Sequence, residues 1–241
     1  SGPTKVGSPY IDYATGLNAA FAIVSAMHEV KQKNKSIRLD VSMLDTSFLL
    51  MANMVTEHLN SGWVPTPMGN EAQSGSPASG MYSTLTSPIL LAANNDIQFF
   101  SLCDALKSIG SFDKEKWKLE SVRRSKQIDL RKELQSIFIT KTAEDLEIIL
   151  NNFNVPAGRV RSLPEAVSEK QFKDRKLWNK INIKSIKKDF LVPSIGFKVN
   201  ENPVLPKNPP PILGADTESI LKDIGINKDT IKDLRKEGII N

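Results

Sequence analysis

The sequence predicts an α/β fold with long helices and short strands. Three observations indicate this class: a strongly apolar helical segment near the start, a strand-like alternating segment directly after it, and later helical patterns separated by short apolar strands. The chain has 241 residues, of which 40% are hydrophobic and 24% are charged. This composition is typical of a soluble globular protein, and the length allows one large domain or two smaller ones.

The first helix is predicted from about residue 12 to about residue 31. Its apolar residues lie on every face, so we expect the helix to be buried. Asp12 stands at its head, where the unsatisfied N–H groups and the helix dipole favour a charged carboxylate. An ionised, partly buried carboxylate there suits a nucleophile or general base, although Asp is also among the commonest N-cap residues.

Residues 38–43 alternate like a strand with one apolar face, and a second helix follows over about residues 44–59. Gly62 is placed to end that helix. A single strand between two helices cannot make a sheet, and a buried first helix finds few partners so near the start of the chain. We therefore expect an N-terminal portion to be absent.

Prolines and glycines mark a long loop from residue 63 to residue 80. Its part over residues 69–80 is rich in small residues, which would let it approach a ligand closely or move as a lid. It lacks the Gly-Lys-Ser/Thr of a P-loop and the strand–loop–helix context of a dinucleotide fingerprint. The alternative interpretation is a flexible connection between domains.

The rest of the chain alternates between helix and strand patterns, with short strands on both sides of Thr86. Helices are predicted for residues 96–109, 114–137 and 142–152, and strands with turns for residues 155–160 and 181–199. Five prolines over residues 200–213 indicate a linker or a strap over a surface. Two short amphipathic helices follow, with Thr217 and Asn227 as candidate N-caps and Gly225 between them.

Several function classes are disfavoured by composition. The single cysteine, Cys103, lies in a helical pattern, which predicts a buried inert thiol and fits a reducing compartment. The only histidines, His28 and His58, have no second His or Cys nearby, so we expect no metal site. No span reaches the roughly 18 apolar residues of a membrane helix. The net charge of +5 permits an anionic partner, but the basic residues 114–132 are interleaved with acidic ones, which is typical of a solvated helix face rather than a nucleic-acid surface.

Six segments occur in a fixed order across nearly the whole chain: residues 7–23, 40–45, 69–80, 91–96, 155–160 and 213–225. The first carries Asp12 in an Asp-x-x-Thr-Gly pattern with Thr15 and Gly16. Together and in this order, the segments resemble the class III CoA-transferases, the CaiB/BaiF family that includes formyl-CoA transferase and carnitine CoA-transferase.

The resemblance implies the class III CoA-transferase fold. Residues 1–62 would be part of a Rossmann-like large domain, residues 63–199 an α+β small domain with its linker, and residues 200–241 a proline-rich strap with C-terminal helices that return to the large domain. Family members are longer at the N-terminus, so the Rossmann-like half before Asp12 is expected to be missing. The full-length form is expected to be a cytoplasmic, interlocked homodimer.

The resemblance also implies the site. Asp12 would be the catalytic nucleophile. Support at the helix start would come from Thr15 and Gly16, and the mobile substrate loop would include Gly75, Ser76 and Gly80. Coenzyme A would be a substrate and not a cofactor, with no metal, nucleic-acid or membrane partner. The loop departs from the richer glycine run of formyl-CoA transferase, and Asp216 stands where the family often has His.

The implied reaction moves CoA from an acyl-CoA to a carboxylic acid. Asp12 would attack the thioester to form an acyl–aspartyl anhydride, and the released thiolate would convert this to an aspartyl-CoA thioester, from which the acceptor acid takes the CoA. Two alternatives stay open. One is an α-methylacyl-CoA racemase-like isomerase, in which the aspartate works with a histidine as acid and base. The other is a non-catalytic fragment or subunit of a split enzyme.

Overall fold

The computed structural model describes residues 5–72, 74–110, 112–183, 187–206 and 208–240. It contains helices and short antiparallel strands in two compact units, Ser1–Val160 and Arg161–Asn241. This division by contacts falls inside the predicted small domain. The predicted organisation into residues 1–62, 63–199 and 200–241 stays a prediction.

Three helices open the first unit: α1 (Tyr10–Lys33), α2 (Met43–Leu50) and α3 (Ala52–Ser61). Ser42 caps α2 by accepting hydrogen bonds from two backbone N–H groups of its first turn, and Gly62 ends α3 in the left-handed conformation with φ of 72°. Asn18 of α1 donates to Thr46 of α2 at 3.4 Å, and Thr46 is buried. The predicted ending at Gly62 is confirmed.

Three predictions for this region differ from the structure of the described chain. The first helix forms as predicted, but none of its residues is buried. Residues 38–42 form no strand, since no strand among the described residues pairs with them, and Met43 already begins α2. The predicted second helix is interrupted at Met51, where φ of −107° and ψ of 22° depart from helical geometry.

The core of the first unit forms where four helices pack around a three-stranded antiparallel sheet. The strands are β1 (Gly80–Tyr82), β2 (Ile89–Leu91) and β3 (Ala157–Arg159), in the order β1-β2-β3. The helices are α4 (Asp96–Lys107), α5 (Glu120–Ser125), α6 (Gln127–Phe138) and α7 (Ala143–Asn152). Fully buried side chains from all these layers, including Trp117, Phe99, Phe138, Ile89 and Leu150, form one cluster.

Helix side chains close both outer edges of this sheet. On the β1 side, the Gln135 side chain of α6 accepts from Ser83 N at 3.0 Å and donates to Ser83 O at 2.9 Å. On the β3 side, the Asn151 side chain of α7 donates to Ala157 O at 3.2 Å. Backbone groups that would otherwise remain open to another strand are thereby satisfied within the unit.

The second unit consists of hairpins and short helices. Its elements are α8 (Leu163–Ser168), α9 (Lys170–Asp174), β4 (Trp178–Ile183), β5 (Lys188–Pro193), β6 (Lys198–Val199), β7 (Asn202–Pro203), α10 (Thr217–Asp223) and α11 (Lys228–Lys236). Strands β4 and β5 pair antiparallel, as do β6 and β7. Asn227 caps α11 as predicted, whereas the residue before α10 is Asp216, so Thr217 is its first helical residue and not its cap.

Some sequence predictions fall on residues that lie outside the described ranges. They concern residues 1–4 of the first part, Gln73 of the small-residue loop, residues 184–186 of the predicted strands and Lys207 of the proline-rich segment. Among the described helices, none combines the length and the apolar character needed to cross a bilayer.

Candidate active site

Asp12 is the third residue of α1 and lies in its first turn. Pro9 precedes the helix and the end has no side-chain cap, so the N-cap alternative for Asp12 is wrong. Its side chain is exposed and not partly buried as predicted. No hydrogen bond or ion pair among the described residues engages the carboxylate, so both oxygens can meet a ligand at the positive end of the helix dipole.

Thr15 and Gly16 follow one turn later on the same helix. Thr15 Oγ1 donates to Ile11 O at 2.7 Å, so this hydroxyl is used within the helix and not on Asp12. A Cβ built on Gly16 would meet no atom within 4 Å. Glycine inside a helix costs about 1 kcal/mol of stability relative to alanine. Since an alanine side chain would fit at this position, packing within the described chain does not explain why residue 16 is glycine. The bare backbone leaves room for an incoming group.

The small-residue loop is held tightly over its second half. Residues 76–80 are all buried, and Ser76 Oγ donates to Ala93 O at 2.8 Å. Gly75 is half-buried with φ of 63°, a left-handed conformation that favours glycine. The resemblance implies a mobile loop, whereas movement of residues 76–80 would uncover buried backbone and hydroxyl groups.

Gly80, the first residue of β1, has a structural requirement of its own. Its φ is 139°, and an added Cβ would lie 3.0 Å from Arg131 Nη1 and 3.1 Å from Asn70 O. The Arg131 guanidinium lies 4.7 Å from the centre of the Tyr82 ring and donates to Ser79 O at 3.0 Å. Gly80 therefore makes room for the arginine that holds this end of the loop.

Tyr82 is a buried phenol beside this arginine. Burial raises the pKa of Tyr82 to about 12, against the smaller opposing effect of Arg131. The neutral hydroxyl donates to Ala78 O at 2.7 Å. The phenol is therefore a structural anchor for the loop and not an acid–base group near neutral pH.

The predicted site residues form two separate groups in the described chain. Asp12, Thr15 and Gly16 share one helix, while Gly75, Ser76 and Gly80 share the loop that leads into β1. Among described residues, no hydrogen bond or ion pair joins α1 to residues 69–80. The described chain thus contains two separate parts of the predicted site: the Asp12 carboxylate, which has no partner among the described residues, and the loop, which is held by hydrogen bonds.

Sequence reasoning missed a polar cleft of about 280 Å³ beside the loop. The loop, the start of α4 and helix α5 line it, through Ser76, Pro77, Ala78, Ala93, Asn94, Asn95, Asp96, Phe99, Glu120, Arg123 and Arg124. The signal that could have revealed this cleft lies in Asn94, Asn95 and Asp96, which belong to one of the six segments that carry the family resemblance. Nothing in the sequence pattern distinguished Arg123 from its basic neighbours.

Arg123 contradicts the prediction that the basic residues 114–132 form a solvated face. It is only 3% exposed, donates to Trp117 O and Lys118 O at 2.9 Å each, and pairs with Asp96. Its guanidinium lies 4.3 Å from the centre of the Phe99 ring. The cation thus joins α5 to the start of α4 under the cleft.

Other candidate nucleophiles and ligands are occupied elsewhere. Cys103 is fully buried, and burial raises the pKa of its thiol to about 11, so the reactive thiolate is scarce near neutral pH. His58 Nδ1 lies 2.8 Å from Trp63 O. The part of the chain that the structure describes contains no group of three metal-ligating side chains.

A family model described as CoA-transferase family III matches residues 1–217. The chain is 24% identical over 224 residues to the succinate–glutarate CoA-transferase of Agrobacterium fabrum, a match that covers 92% of this chain and 55% of that protein. It is 24% identical over 226 residues to the succinyl-CoA:glutarate CoA-transferase of Mus musculus, with 92% and 50% covered. The chain thus spans about half the length of the curated relatives it matches.

Solved structures show the same fold. A CaiB/BaiF family protein from Brucella suis superposes with a TM-score of 0.72 at 25% identity, covering 93% of this chain and 57% of that chain. Rv3272 from Mycobacterium tuberculosis superposes with a TM-score of 0.73 at 17% identity, covering 90% and 57%. The predicted fold is confirmed by these neighbours.

Proposed function

The chain belongs to CoA-transferase family III, and from this we propose that it is part of an enzyme that moves CoA from an acyl-CoA to a carboxylic acid, with Asp12 as the acylated residue. The observation that carries the proposal is the position of Asp12. Its exposed carboxylate has no partner among the described residues and lies in the first turn of α1. A carboxylate can act as a nucleophile and form a covalent intermediate.

The proposed reaction conserves every group. An Asp12 oxygen attacks the donor thioester carbon, the C–S bond breaks, and CoA leaves as a thiolate from an acyl–aspartyl anhydride. The thiolate then attacks the Asp12 carbonyl carbon, which releases the donor acid and leaves an aspartyl-CoA thioester. The acceptor carboxylate attacks this thioester to give a second anhydride and thiolate, and thiolate attack on the acceptor carbonyl releases the new acyl-CoA and free Asp12.

Both covalent intermediates react with water, so the proposed site needs shelter. The braced loop at Gly75, Ser76 and Gly80 is the proposed source of part of it, since its buried half offers a fixed wall. Thr15 and Gly16 would shape the helix start, with the open side of Gly16 admitting the acyl group or the pantetheine arm. We propose no metal and no further cofactor.

The exposed apolar side chains of α1 support the proposal that more polypeptide completes the site. Leu17, Phe21 and Val24 are 68%, 74% and 67% exposed, an arrangement that marks a protein interaction surface. We propose that this surface is covered in the complete protein by the region that the longer relatives contain. Assembly as an interlocked homodimer and a location in the cytoplasm stay predictions.

The decisive experiment replaces Asp12 in the complete protein. Asp12→Ala and Asp12→Asn remove the nucleophile, so we expect transfer to fall at least about a thousandfold with little loss of stability, because the side chain is exposed. Succinyl-CoA and glutarate are the first pair to assay, since relatives are named for these acids. Mass mapping of the enzyme quenched during turnover should find the adduct on the peptide that contains Asp12.

The exposed carboxylate Asp45 provides a matched control, because Asp45→Asn also removes a first-turn charge from a helix of the same unit. It should leave an adduct on Asp12. Near-normal turnover of Asp12→Ala would reject the assignment. Inversion of a stereocentre with no second acid required would instead indicate a racemase-like isomerase.

A subunit of a split enzyme is the second candidate function, and the exposed apolar helix surface favours it. Titration of the isolated chain with succinyl-CoA, alone and with a separately produced N-terminal companion, tests this second candidate. Binding and activity that appear only with the companion would indicate a split enzyme. A chain that binds succinyl-CoA by itself would contradict this alternative.

A further inference from the structure

One side-chain oxygen holds both ends of the loop segment between Ser74 and Ser79. Ser74 Oγ donates to Asn94 Oδ1 at 3.2 Å, and Ser79 Oγ donates to the same oxygen at 2.9 Å. Between them, the N–H of Gly75 donates to Ala72 O at 2.9 Å. The segment is therefore a closed turn whose two ends share a single acceptor.

Asn94 is itself fixed by the start of α4. Its N–H donates to Gln98 Oε1 at 2.8 Å, and the N–H of Gln98 donates to Asn95 Oδ1 at 2.9 Å, which caps the helix. The following turns of α4 bury Phe99 and Leu102 in the core. The shared acceptor thus lies in the short segment between β2 and α4, and the capped start of α4 holds it in place.

The two halves of the segment differ in their freedom to move. Ser79 is 1% exposed and Ser76 is 7% exposed, and each hydroxyl has a partner that movement would break. Ser74 is exposed and Gly75 is half-buried. Besides Asn94, the tip is held by the turn bond from Gly75 N–H to Ala72 O, by Ser76 N–H to Ser74 Oγ at 3.4 Å, and by Arg124 Nη1 to Gly75 O at 3.4 Å. Movement of the loop is therefore confined to its tip, Ser74 and Gly75, and Asn94 is the side chain that ties this tip to the buried end of the segment at Ser79.

We propose that Asn94 is a positioning residue for CoA transfer, which fixes the tip at Ser74 and Gly75 so that the loop is already formed when the acyl-CoA binds. The inference rests on the proposed function, in which this loop shelters the covalent intermediates. Asn94 acts through the two serines and does not touch the reacting atoms. Its loss lets water reach the intermediates, so acyl-CoA is hydrolysed to free acid and CoA without reaching the acceptor.

Three variants of the complete protein test this role. Asn94→Ala removes the acceptor, so transfer should fall about tenfold in kcat/KM and the ratio of hydrolysis to transfer should rise by a similar factor. Asn94→Asp keeps an oxygen that accepts from both serines and should restore most of the wild-type ratio. Asn151→Ala is the matched control, because it removes an exposed side-chain amide that donates one hydrogen bond at the far edge of the same sheet. Its ratio should equal the wild-type value.

Hydrogen–deuterium exchange of residues 70–81, in the complete protein without substrate, separates the possible failures. Asn94→Ala should exchange faster there than wild type and Asn151→Ala should not, whatever reaction the enzyme performs. Unchanged exchange in Asn94→Ala overturns the restraint. Faster exchange with an unchanged hydrolysis-to-transfer ratio overturns the positioning role while the transferase function stands. A wild-type protein that transfers no CoA at all overturns the proposed function, and the positioning role with it.

Discussion

Gly80 and Gly75 are both glycines of the loop, but the structure requires them to different degrees. Gly75 has a left-handed φ of 63° with open space around a built Cβ, whereas Gly80 combines φ of 139° with atoms of Arg131 and Asn70 at 3.0–3.1 Å. We expect Gly75→Ala to lower the free energy of unfolding by about 1 kcal/mol and Gly80→Ala by about 3 kcal/mol, measured by urea unfolding.

Gly110 provides the control for this pair, because a Cβ there meets nothing within 4 Å and its φ lies outside the left-handed region. Gly110→Ala should change the unfolding free energy by less than about 0.5 kcal/mol. Equal losses for Gly75→Ala and Gly80→Ala would show that contact with Arg131 does not restrict residue 80.

The buried Arg123 of α5 joins this helix to Asp96 at the start of α4. We expect replacement of the arginine to lower the free energy of unfolding more than replacement of the aspartate. Arg123→Met leaves the carbonyl oxygens of Trp117 and Lys118 without their donor and should cost about 3 kcal/mol of unfolding free energy. Asp96→Asn should cost less, about 1 kcal/mol, because the asparagine Oδ1 still accepts a hydrogen bond from the buried guanidinium and only the negative charge of the half-exposed partner is lost.

The adjacent Arg124 tests whether burial causes this difference. Its side chain is 55% exposed and pairs with Glu120 one turn away, so Arg124→Met should cost about 0.5 kcal/mol or less in the same unfolding measurement. A loss as large as that of Arg123→Met would contradict the assignment of the stability to the buried guanidinium.

Elements with strong local signals were predictable from the sequence. Gly62 ends α3, Asn227 caps α11, and Thr142 caps α7, because each residue type satisfies a helix end locally. The break of the predicted 114–137 helix at Lys126, where φ is −117°, has no glycine or proline to mark it. Because the break carries no local signal, the sequence predicts one continuous helix over these residues.

The sequence predicts which residues form the candidate site, but it does not predict how buried or exposed each of them is. Asp12, Gly75, Ser76 and Gly80 were found through the family resemblance, but the exposure of Asp12 and the buried half of the loop depend on packing between distant segments. Arg123 was hidden in a run of alternating charges for the same reason. Only the fold brings the start of α4 against it.

At the scale of the whole molecule, the apolar composition of α1 conflicts with its exposure in the described chain. The sequence predicts a buried helix, whereas none of the residues of α1 is buried in the described chain and its apolar side chains lie at the surface. The core instead forms around the three-stranded sheet, with Trp117, Phe138 and Leu150 fully buried. Stability and the proposed covalent chemistry therefore depend on different parts of the first unit.

The closed edges of the three-stranded sheet determine how the isolated chain would aggregate in solution. With Gln135 and Asn151 occupying the outer backbone groups, this sheet offers no template for cross-β growth. Self-association would proceed instead through the exposed apolar faces of the first helices. We expect amorphous aggregates that mild detergent disperses and that do not bind the dyes used to detect amyloid.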